Sequence, residues 1–351
     1  MPSRLRPLLL AAGFVAAVMG ASTLPARPLY KIEKRIPLSG TTGWDLLAMD
    51  SAAHRLYVSR GTHVDVIDTV ADSVTAVIDH TDGVHGIAIA ADLGKVYTTN
   101  GASNTVSVLD RQTLALQATL PTGEKPDALL YDAFSQRVFV FNAKGQSCTV
   151  IDAVKGTVLK TVALPGQPEL PVTDGAGHLF VNLEDKSDVV VLDAKKLTVT
   201  SVWPLAPGEE PTGLALDPVK HRLYSACANG KMIVTDSLTG QPVADLPIGQ
   251  HPDGAAFDPG TGLAFASNGE GSLSILGTDP KGALAAFEAL PTQKGARTLV
   301  LDPADHRIYS ICAKYAKEAK SDAKEHKRPA ILDGSVEVLV LSYRPEAPGK
   351  P

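Results

Sequence analysis

Polar side chains that can bind ligands or exchange protons recur along this chain at nearly constant intervals. Seven positions, each 40 to 44 residues from the next, carry mostly carboxylate, imidazole, hydroxyl or guanidinium groups. They are Asp45, His85, Asp127, Pro168 or Glu169, Thr212, Asp253 and Arg297. Carboxylates and imidazoles bind cations and act as general acids or bases. These residues could act together only if the fold brings them close to one another, so their role depends on the secondary-structure elements on which they lie.

The constant interval comes from an internal repeat. Seven aromatic residues mark it, with steps of 40, 42, 41, 44, 41 and 44 residues: Tyr57, Tyr97, Phe139, Phe180, Tyr224, Phe265 and Tyr309. Each copy reads as four short strands, with Gly and Asn at hairpin tips and an aspartate such as Asp110 after the third strand. That carboxylate is expected to accept backbone N–H bonds and fasten a turn. Seven such copies predict an all-β, seven-bladed β-propeller of four-stranded antiparallel blades over residues 27–344.

The ring is expected to close through the N-terminal segment. The last copy ends on its third strand, "SVEVLVLSY", and the Pro-rich tail 345–351 is too short to supply a fourth. Tyr30 to Leu38 has the alternation of a fourth strand, so we expect it to complete the last blade. Closure leaves no open sheet edge, which favours a monomer.

In a propeller the innermost strands line a central channel, and the seven recurring positions meet at its mouth. Two carboxylates about 8 Å apart repel by about 2 kcal/mol at an effective dielectric of about 20. Arg297, a protonated His85, a raised carboxylate pKa or a bound cation would relieve this repulsion. One interpretation is a site for a small ligand or for a divalent cation, with Asp45, His85, Asp127 and Asp253 as candidate metal ligands. The other is that each group bonds backbone at a strand start. The sequence indicates no other cofactor.

Two features break the repeat near the mouth. Trp44 stands where three other blades have proline, and it is expected either to stack on a ligand or to cap the core between blades. Blade seven carries an insertion at 313–333 that projects on the mouth side. Its basic residues are candidates for binding a partner: Lys314, Lys317, Lys320, Lys324, Lys327 and Arg328. A solvated loop is the alternative, and the net charge of −5 argues weakly against nucleic acid as the main partner.

The N-terminal residues predict export. Arg4 and Arg6 precede an apolar run from Leu8 to Met19 and then small residues, which is typical of a cleaved signal peptide at 1–26. We therefore expect a periplasmic or secreted protein, and no further segment has the length of a membrane span. The three cysteines, Cys148, Cys227 and Cys312, are expected to be buried apolar side chains.

The repeat resembles a known family. "YTTNGASNTVSVLDRQT" is similar to the consensus of the YVTN-type β-propeller repeat, and "PDGAAFDP" and "PTGLALDP" match its companion strand. For an exported chain of this size, the resemblance implies a YncE-like periplasmic protein. It implies a fold rather than an activity, because the recurring residues are turn and core positions. Related propellers include lactonases, subunits of dehydrogenases, surface-layer proteins and binding scaffolds.

Two functions follow from these observations. The first is a non-enzymatic binding or scaffold protein that holds a small ligand, cation or protein partner at the channel mouth, with no catalytic residue assigned. The alternative is a metal-assisted hydrolase of the lactonase type, in which a carboxylate or His85 is the base. The hydrolase needs three or more of Asp45, His85, Asp127, Glu169 and Asp253 close enough to share one ion.

Overall fold

The computed structural model describes residues 29–316 and 329–344, and within them the chain is almost entirely β-structure. The strands of its first half are β1 (Tyr30–Pro37), β2 (Leu47–Asp50), β3 (Arg55–Ser59), β4 (Val64–Asp68), β5 (Ser73–Ile78), β6 (Val84–Ala90), β7 (Lys95–Asn100), β8 (Thr105–Asp110), β9 (Leu116–Pro121), β10 (Pro126–Asp132), β11 (Arg137–Asn142), β12 (Ser147–Asp152), β13 (Thr157–Ala163) and β14 (Pro168–Thr173).

The second half continues in the same manner. Its strands are β15 (His178–Leu183), β16 (Asp188–Asp193), β17 (Thr198–Pro204), β18 (Pro211–Asp217), β19 (Arg222–Cys227), β20 (Lys231–Asp236), β21 (Pro242–Pro247), β22 (Pro252–Asp258), β23 (Leu263–Asn268), β24 (Ser272–Thr278), β25 (Leu284–Pro291), β26 (Leu299–Asp302), β27 (Arg307–Cys312) and β28 (Glu337–Tyr343). Three short 3-10 turns, Ser51–Ala53, Ala91–Leu93 and Glu184–Lys186, connect neighbouring strands.

The strands form seven four-stranded antiparallel sheets, which confirms the predicted seven-bladed propeller. Six blades are consecutive in sequence: β2 to β5, β6 to β9, β10 to β13, β14 to β17, β18 to β21 and β22 to β25. The seventh has the order β1-β28-β27-β26, so the N-terminal strand is its outermost member. In the six consecutive blades the first strand is innermost, and in the seventh it is β26; these inner strands pack against one another around the channel.

The N-terminal strand closes the ring as predicted. β1 pairs with β28 from Tyr30 opposite Tyr343 to Pro37 opposite Glu337, and the Leu38 amide donates to the carbonyl of Val336 at 2.8 Å. The Tyr30 ring is fully buried and its hydroxyl donates to the carbonyl of His306 at 3.0 Å. The buried Tyr30 side chain therefore joins the N-terminal strand to the rest of the last blade.

The repeat residues have the structural roles that their types suggest. The aromatic markers are buried between adjacent blades; Tyr97, for example, lies in one cluster with Leu129 and Val138 of the next blade. Asp110 accepts the amides of Gln112 and Thr113 at 3.0 and 2.8 Å, so it fastens the turn. The three cysteines are buried free thiols, as expected.

Some predictions fall on residues outside the described ranges. These are the signal peptide at 1–26, the tail at 345–351 and the arm residues Lys317, Lys320, Lys324, Lys327 and Arg328. Within the described part of the chain, no helix has both the length and the hydropathy that a membrane crossing requires.

Candidate ligand site at the channel mouth

Five of the seven inner strands begin with an irregularity that exposes one side chain to the channel. In β6, Val84 pairs with Asn100 and Ile87 pairs with Thr98, so His85 and Gly86 together face one residue of β7. The same register shift occurs near the start of β10, β14, β18 and β22. An extra residue of this kind re-aims the side chain beside it. The recurring polar positions of these five blades therefore point into the mouth, and Asp45 and Arg297 lie just before β2 and β26.

Hydrogen bonds from the neighbouring blade hold the backbone of these positions. The Thr99 hydroxyl donates to the carbonyl of Asp127, and the Thr298 hydroxyl donates to the carbonyl of Asp45, each at 2.8 Å. The Ser267 hydroxyl donates to the carbonyl of Arg297. Because these bonds run between blades, the ring of side chains is preorganised by the packing of the propeller.

All eight predicted site residues line one cavity of about 710 Å³ at the mouth: Trp44, Asp45, His85, Asp127, Glu169, Thr212, Asp253 and Arg297. Of the two alternatives in blade four, Glu169 lines the cavity, while Pro168 is buried and pairs with Leu183. Thr212 is the member that bonds backbone through its side chain, donating to the carbonyl of Pro252 at 2.8 Å. The charged members pair with side chains instead.

His85 lies between two carboxylates. Its Nδ1 is hydrogen-bonded to Asp45 Oδ2 and lies 3.5 Å from Asp127 Oδ1. The bond to Asp45, supported by the charge of Asp127, raises the pKa of His85 against the opposing effect of burial. Ligand atoms of these three residues all lie within 4.8 Å of one another, so they could share one cation. The convergence that the hydrolase alternative requires is therefore present for three of its five residues.

The other two candidate carboxylates have different partners. Arg297 Nη1 lies 3.1 Å from Asp253 Oδ2, and Arg297 Nη2 lies 3.9 Å from Asp45 Oδ1. Glu169 accepts a long 3.5 Å bond from the Gln167 amide, whose shorter 2.7 Å bond goes to Glu184. Asp253 thus pairs with a cation within the site, whereas no cation among the described residues donates a hydrogen bond to Glu169.

Burial and mutual repulsion shift the acid strength of the mouth carboxyls. Burial, with the charges of Asp127, Glu184 and Asp253, raises the pKa of Glu169 to about 9. Burial likewise raises the pKa of Asp127, Glu184 and Asp253, and for Asp253 it outweighs the opposing effect of Arg297. Each raised pKa means that the ionised form of the carboxyl group is disfavoured in the site, so the group tends to hold a proton unless a cation is bound nearby.

Sequence reasoning missed a second set of mouth residues. They stand two positions before the first set and also line the cavity: Gly43, Gly83, Lys125, Gln167, Glu210, His251 and Gly295. Lys125 Nζ lies 3.7 Å from Asp127 Oδ2. Lys125, Glu210 and His251 have positive φ angles of 52, 48 and 54°, so the backbone turns there. The repeat could have revealed these positions, because each lies two residues before a position of the first set. Glu184, from the turn after β15, was missed as well.

Trp44 packs on the described base of the blade-seven insertion. Its ring centroid lies 6.4 Å from that of Tyr315, and the two rings line a neighbouring cavity of about 300 Å³ with Arg297 and Ile331. Tyr315 pairs with Ile331 in a β-bridge, and both line this cavity beside Trp44, so the described ends of the insertion lie near the mouth. Trp44 also packs against the core between blades seven and one, and it lines the mouth cavity; its stacking on a ligand stays a prediction. Lys314 is exposed at the base of the insertion.

Comparisons with known proteins agree with the fold. No protein-family model matches the chain. The uncharacterized protein YncE of Salmonella typhi and that of Salmonella typhimurium are each 24% identical over 186 residues, which is 51% of this chain and 52% of the relative. The chain thus spans about half the length of the curated relatives it matches.

Among solved structures, the hydrazine synthase of Kuenenia stuttgartiensis is similar, with a TM-score of 0.66 over 78% of this chain and 93% of that chain. At 16% identity this likeness shows the fold alone. Together with the blade count, the comparisons confirm the resemblance that the repeat predicts. The chain is a seven-bladed β-propeller similar to YncE.

Proposed function

We propose that this protein is an exported binding protein that holds a small cationic ligand in the mouth of its propeller. The observation that carries the proposal is the charge of the cavity. Among the described residues that line it, six are carboxylates, and Lys125 and Arg297 are the permanently charged cations. A positive ligand favours the ionised carboxylates that burial disfavours, so binding and ionisation support each other.

The size and rigidity of the cavity support a small molecule or ion. A volume of about 710 Å³ lies in the range of small-ligand sites, and the site draws on all seven blades. Bonds between blades, such as that from Thr99 to the Asp127 carbonyl, fix the backbone before a ligand arrives. Preorganisation of this kind lowers the entropic cost of binding.

The proposal is tested on chelator-treated protein. Calorimetric titration with Ca²⁺, Mn²⁺, Zn²⁺ and simple ammonium ions should reveal one-site binding for at least one of these cations. At a hundredfold excess over Kd, the bound cation should stabilise the fold by about 2.7 kcal/mol. The double variant Asp127→Asn/Asp253→Asn should lose the binding. Asp245→Asn, at an exposed pair with Lys231 on an outer strand, is the matched control and should retain it. Absence of binding for every cation would contradict the proposal.

One observation favours a second candidate, a metal-assisted hydrolase of the lactonase type. Asp45, His85 and Asp127 converge closely enough to share a divalent cation, which in such enzymes polarises the carbonyl of a substrate. The neighbouring Arg297 and Lys125 weaken this candidate, because each already lies beside one of the carboxylates. Assay of γ- and δ-lactones with added divalent cations tests it. Activity that is lost in His85→Ala would support it, and the absence of turnover with every cation would exclude it.

The export of the protein is a separate proposal, and it rests on the composition of residues 1–26. Sequencing the N-terminus of protein recovered from the periplasm or the medium tests it. A mature chain that begins near residue 27 is expected, whereas an intact Met1 in a cytoplasmic fraction would contradict it.

A further inference from the structure

A fully buried arginine holds the loop that enters the mouth at blade one. Arg60 directly follows β3, and its side chain is 0% exposed. Its Nη1 donates to Asp65 Oδ2 at 2.9 Å, and its Nη2 donates to the carbonyls of Ser39 and Thr42 at 3.1 and 3.4 Å. Both carbonyls belong to residues 38–44, the loop between the closing strand β1 and the mouth. The guanidinium therefore joins this entry loop to the hairpin of β3 and β4.

Other blades have a neutral pair at the same two positions of the repeat. Arg60 stands three residues after the aromatic marker, where blades two, three and six have asparagine, and Asp65 stands where they have serine or threonine. In each of these blades the asparagine amide donates to that hydroxyl: Asn100 to Ser107 at 2.9 Å, Asn142 to Thr149 at 3.0 Å and Asn268 to Ser274 at 2.9 Å. Three blades thus form the contact without charges, whereas a buried ion pair carries a large desolvation cost. The blade fold alone gives no reason for the charged pair.

The length of the entry loop gives such a reason. Residues 38–44 precede the mouth carboxylate of blade one, whereas the shorter segments 122–126 and 248–252 precede those of blades three and six. In the two shorter segments, one amide of the loop donates to the hydroxyl of the neutral pair at 3.1 Å, from Gly123 and from Gly249. An arginine side chain is longer than asparagine and has more donors, so it can bind two carbonyls of the longer loop as well as its aspartate partner.

The entry loop leads to Trp44 and Asp45, which both line the mouth cavity. The Asp45 amide donates to the Ser59 hydroxyl at 3.1 Å, so the backbone after Trp44 is held by the residue that precedes Arg60. Arg60 itself holds the backbone before Trp44, through the carbonyl of Thr42. The indole is thus fixed on both sides by consecutive residues at the end of β3.

Resting on the proposed function, we propose that Arg60 is a positioning residue for the cation site. Because its side chain has no exposed surface, it acts only through the entry loop, by placing the Trp44 ring and the Asp45 carboxylate at the mouth. Asp65 fixes the guanidinium in turn. Loss of the guanidinium leaves two loop carbonyls without their donor, so the loop is held less firmly and the site is less preorganised.

The neutral pair of blade two supplies the variant that tests this role. Arg60→Asn/Asp65→Ser reproduces in blade one the pair of Asn100 and Ser107. Chemical denaturation should show a midpoint close to that of the wild type, because an uncharged pair of this kind already fits the repeat. Calorimetric titration of the full chain with Ca²⁺, Mn²⁺, Zn²⁺ and ammonium should show an affinity about tenfold weaker for each cation that the wild type binds.

The emission of Trp44 gives a readout that needs no ligand. With Trp203→Phe in both proteins, the double variant should emit at a longer wavelength than the chain that keeps Arg60, because a ring that the loop no longer holds is more exposed to water. Arg60→Lys is a second variant. It keeps a charge beside Asp65 but lacks the planar fork that binds several acceptors, so it should show the same weaker binding and the same shift of emission.

A second arginine–aspartate pair provides the control. Arg111 Nε lies 2.6 Å from Asp50 Oδ2, at the end of β2 that is farther from the mouth. Arg111→Gln should lower the stability of the fold and leave both the cation affinity and the Trp44 emission unchanged. Binding that weakens by the same factor in Arg111→Gln would make the effect of Arg60 one of general stability, which overturns the inference.

The outcomes separate this inference from the proposed function. Weaker binding together with the shift of Trp44 emission supports the positioning role. Unchanged affinity and unchanged emission in the double variant would overturn that role and leave the cation site standing. If no cation binds to the wild type, the proposed function fails, and the Trp44 emission alone decides whether Arg60 holds the loop.

Discussion

Arg297 and Asp253 face each other across the boundary between blades six and seven, with guanidinium Nη1 3.1 Å from carboxylate Oδ2. The same guanidinium reaches Asp45 of blade one at 3.9 Å. Arg297 is therefore an internal cation of the mouth, and it partly offsets the carboxylates that surround it. The carboxylates attract a positive ligand and Arg297 repels it, so the charge of Arg297 should lower the affinity of the site for that ligand.

Neutralising Arg297 should strengthen cation binding. In Arg297→Gln a positive charge within about 4 Å of two carboxylates is lost, which removes repulsion toward a positive ligand. The affinity for the bound cation, measured by calorimetry, should rise by about threefold or more. Arg35→Gln, which removes a charge on the outermost strand β1 that pairs with Glu337 of β28, is the control and should bind as the wild type does. Weaker binding in Arg297→Gln would contradict the assigned role.

Glu169 should make stability depend on pH. Burial raises its pKa to about 9 from 4.5, so the folded state binds this proton more tightly than the unfolded chain does. The resulting stabilisation is complete below about pH 4.5 and is lost as the pH rises toward 9. Glu169→Gln should therefore match the wild type near pH 5 and exceed its melting temperature at pH 9 by about 2 °C or more.

The measurement for Glu169 is a set of melting curves at pH 5, 7 and 9. Glu124→Gln serves as the control, because Glu124 is an exposed carboxylate that pairs with Lys144. Its melting temperature should follow that of the wild type at each pH. An unchanged difference between Glu169→Gln and the wild type from pH 5 to 9 would show that Glu169 is an ordinary carboxylate.

The closing strand should be essential for stability. Ile36 of β1 is 2% exposed and packs between blades seven and one. Ile36→Ala should lower the free energy of unfolding by about 3 kcal/mol, through lost burial and a residual cavity. Val243→Ala, also on an outermost strand but 44% exposed, should change it by less than about 0.5 kcal/mol. Chemical denaturation measures both, and equal costs would argue against closure through β1.

Trp44 should report occupancy of the mouth. The chain has two tryptophans, Trp44 at the mouth and Trp203 on the outer strand of blade four. In Trp203→Phe, binding of a cation at the mouth should change the emission of Trp44, since its ring lines the cavity beside Arg297. In Trp44→Phe the emission of Trp203 should stay constant. A signal that survives in Trp44→Phe would place the ligand elsewhere.

The fold could be predicted from the sequence because the same pattern of four strands occurs seven times, so each copy supports the assignment of the others. Seven aromatic markers at similar spacing fixed the blade count, and the missing fourth strand of the last blade identified Tyr30 to Leu38 as the closing strand. The aspartates after the third strands, such as Asp110, could be assigned to turns because local carboxylate–amide geometry depends on few residues.

The site could be predicted only in part. Position in the repeat located the ring, but β14 has six residues where β10 and β18 have seven. Counting back from the end of β14 indicates Pro168, and counting forward from its start indicates Glu169. In the structure it is Glu169 that lines the cavity. Partners such as Glu184 come from turns between strands, so side-chain pairing there depends on tertiary packing that the sequence does not specify.

Proton release on binding tests the central claim most directly. If a cation replaces protons on carboxyls such as Glu169, titration at pH 7 in buffers of different ionisation enthalpy should show release of about one proton or more per cation bound. Asp127→Asn/Asp253→Asn should abolish the binding. Cation binding without proton release, and with the same affinity in the double variant, would contradict a site formed by the mouth carboxylates.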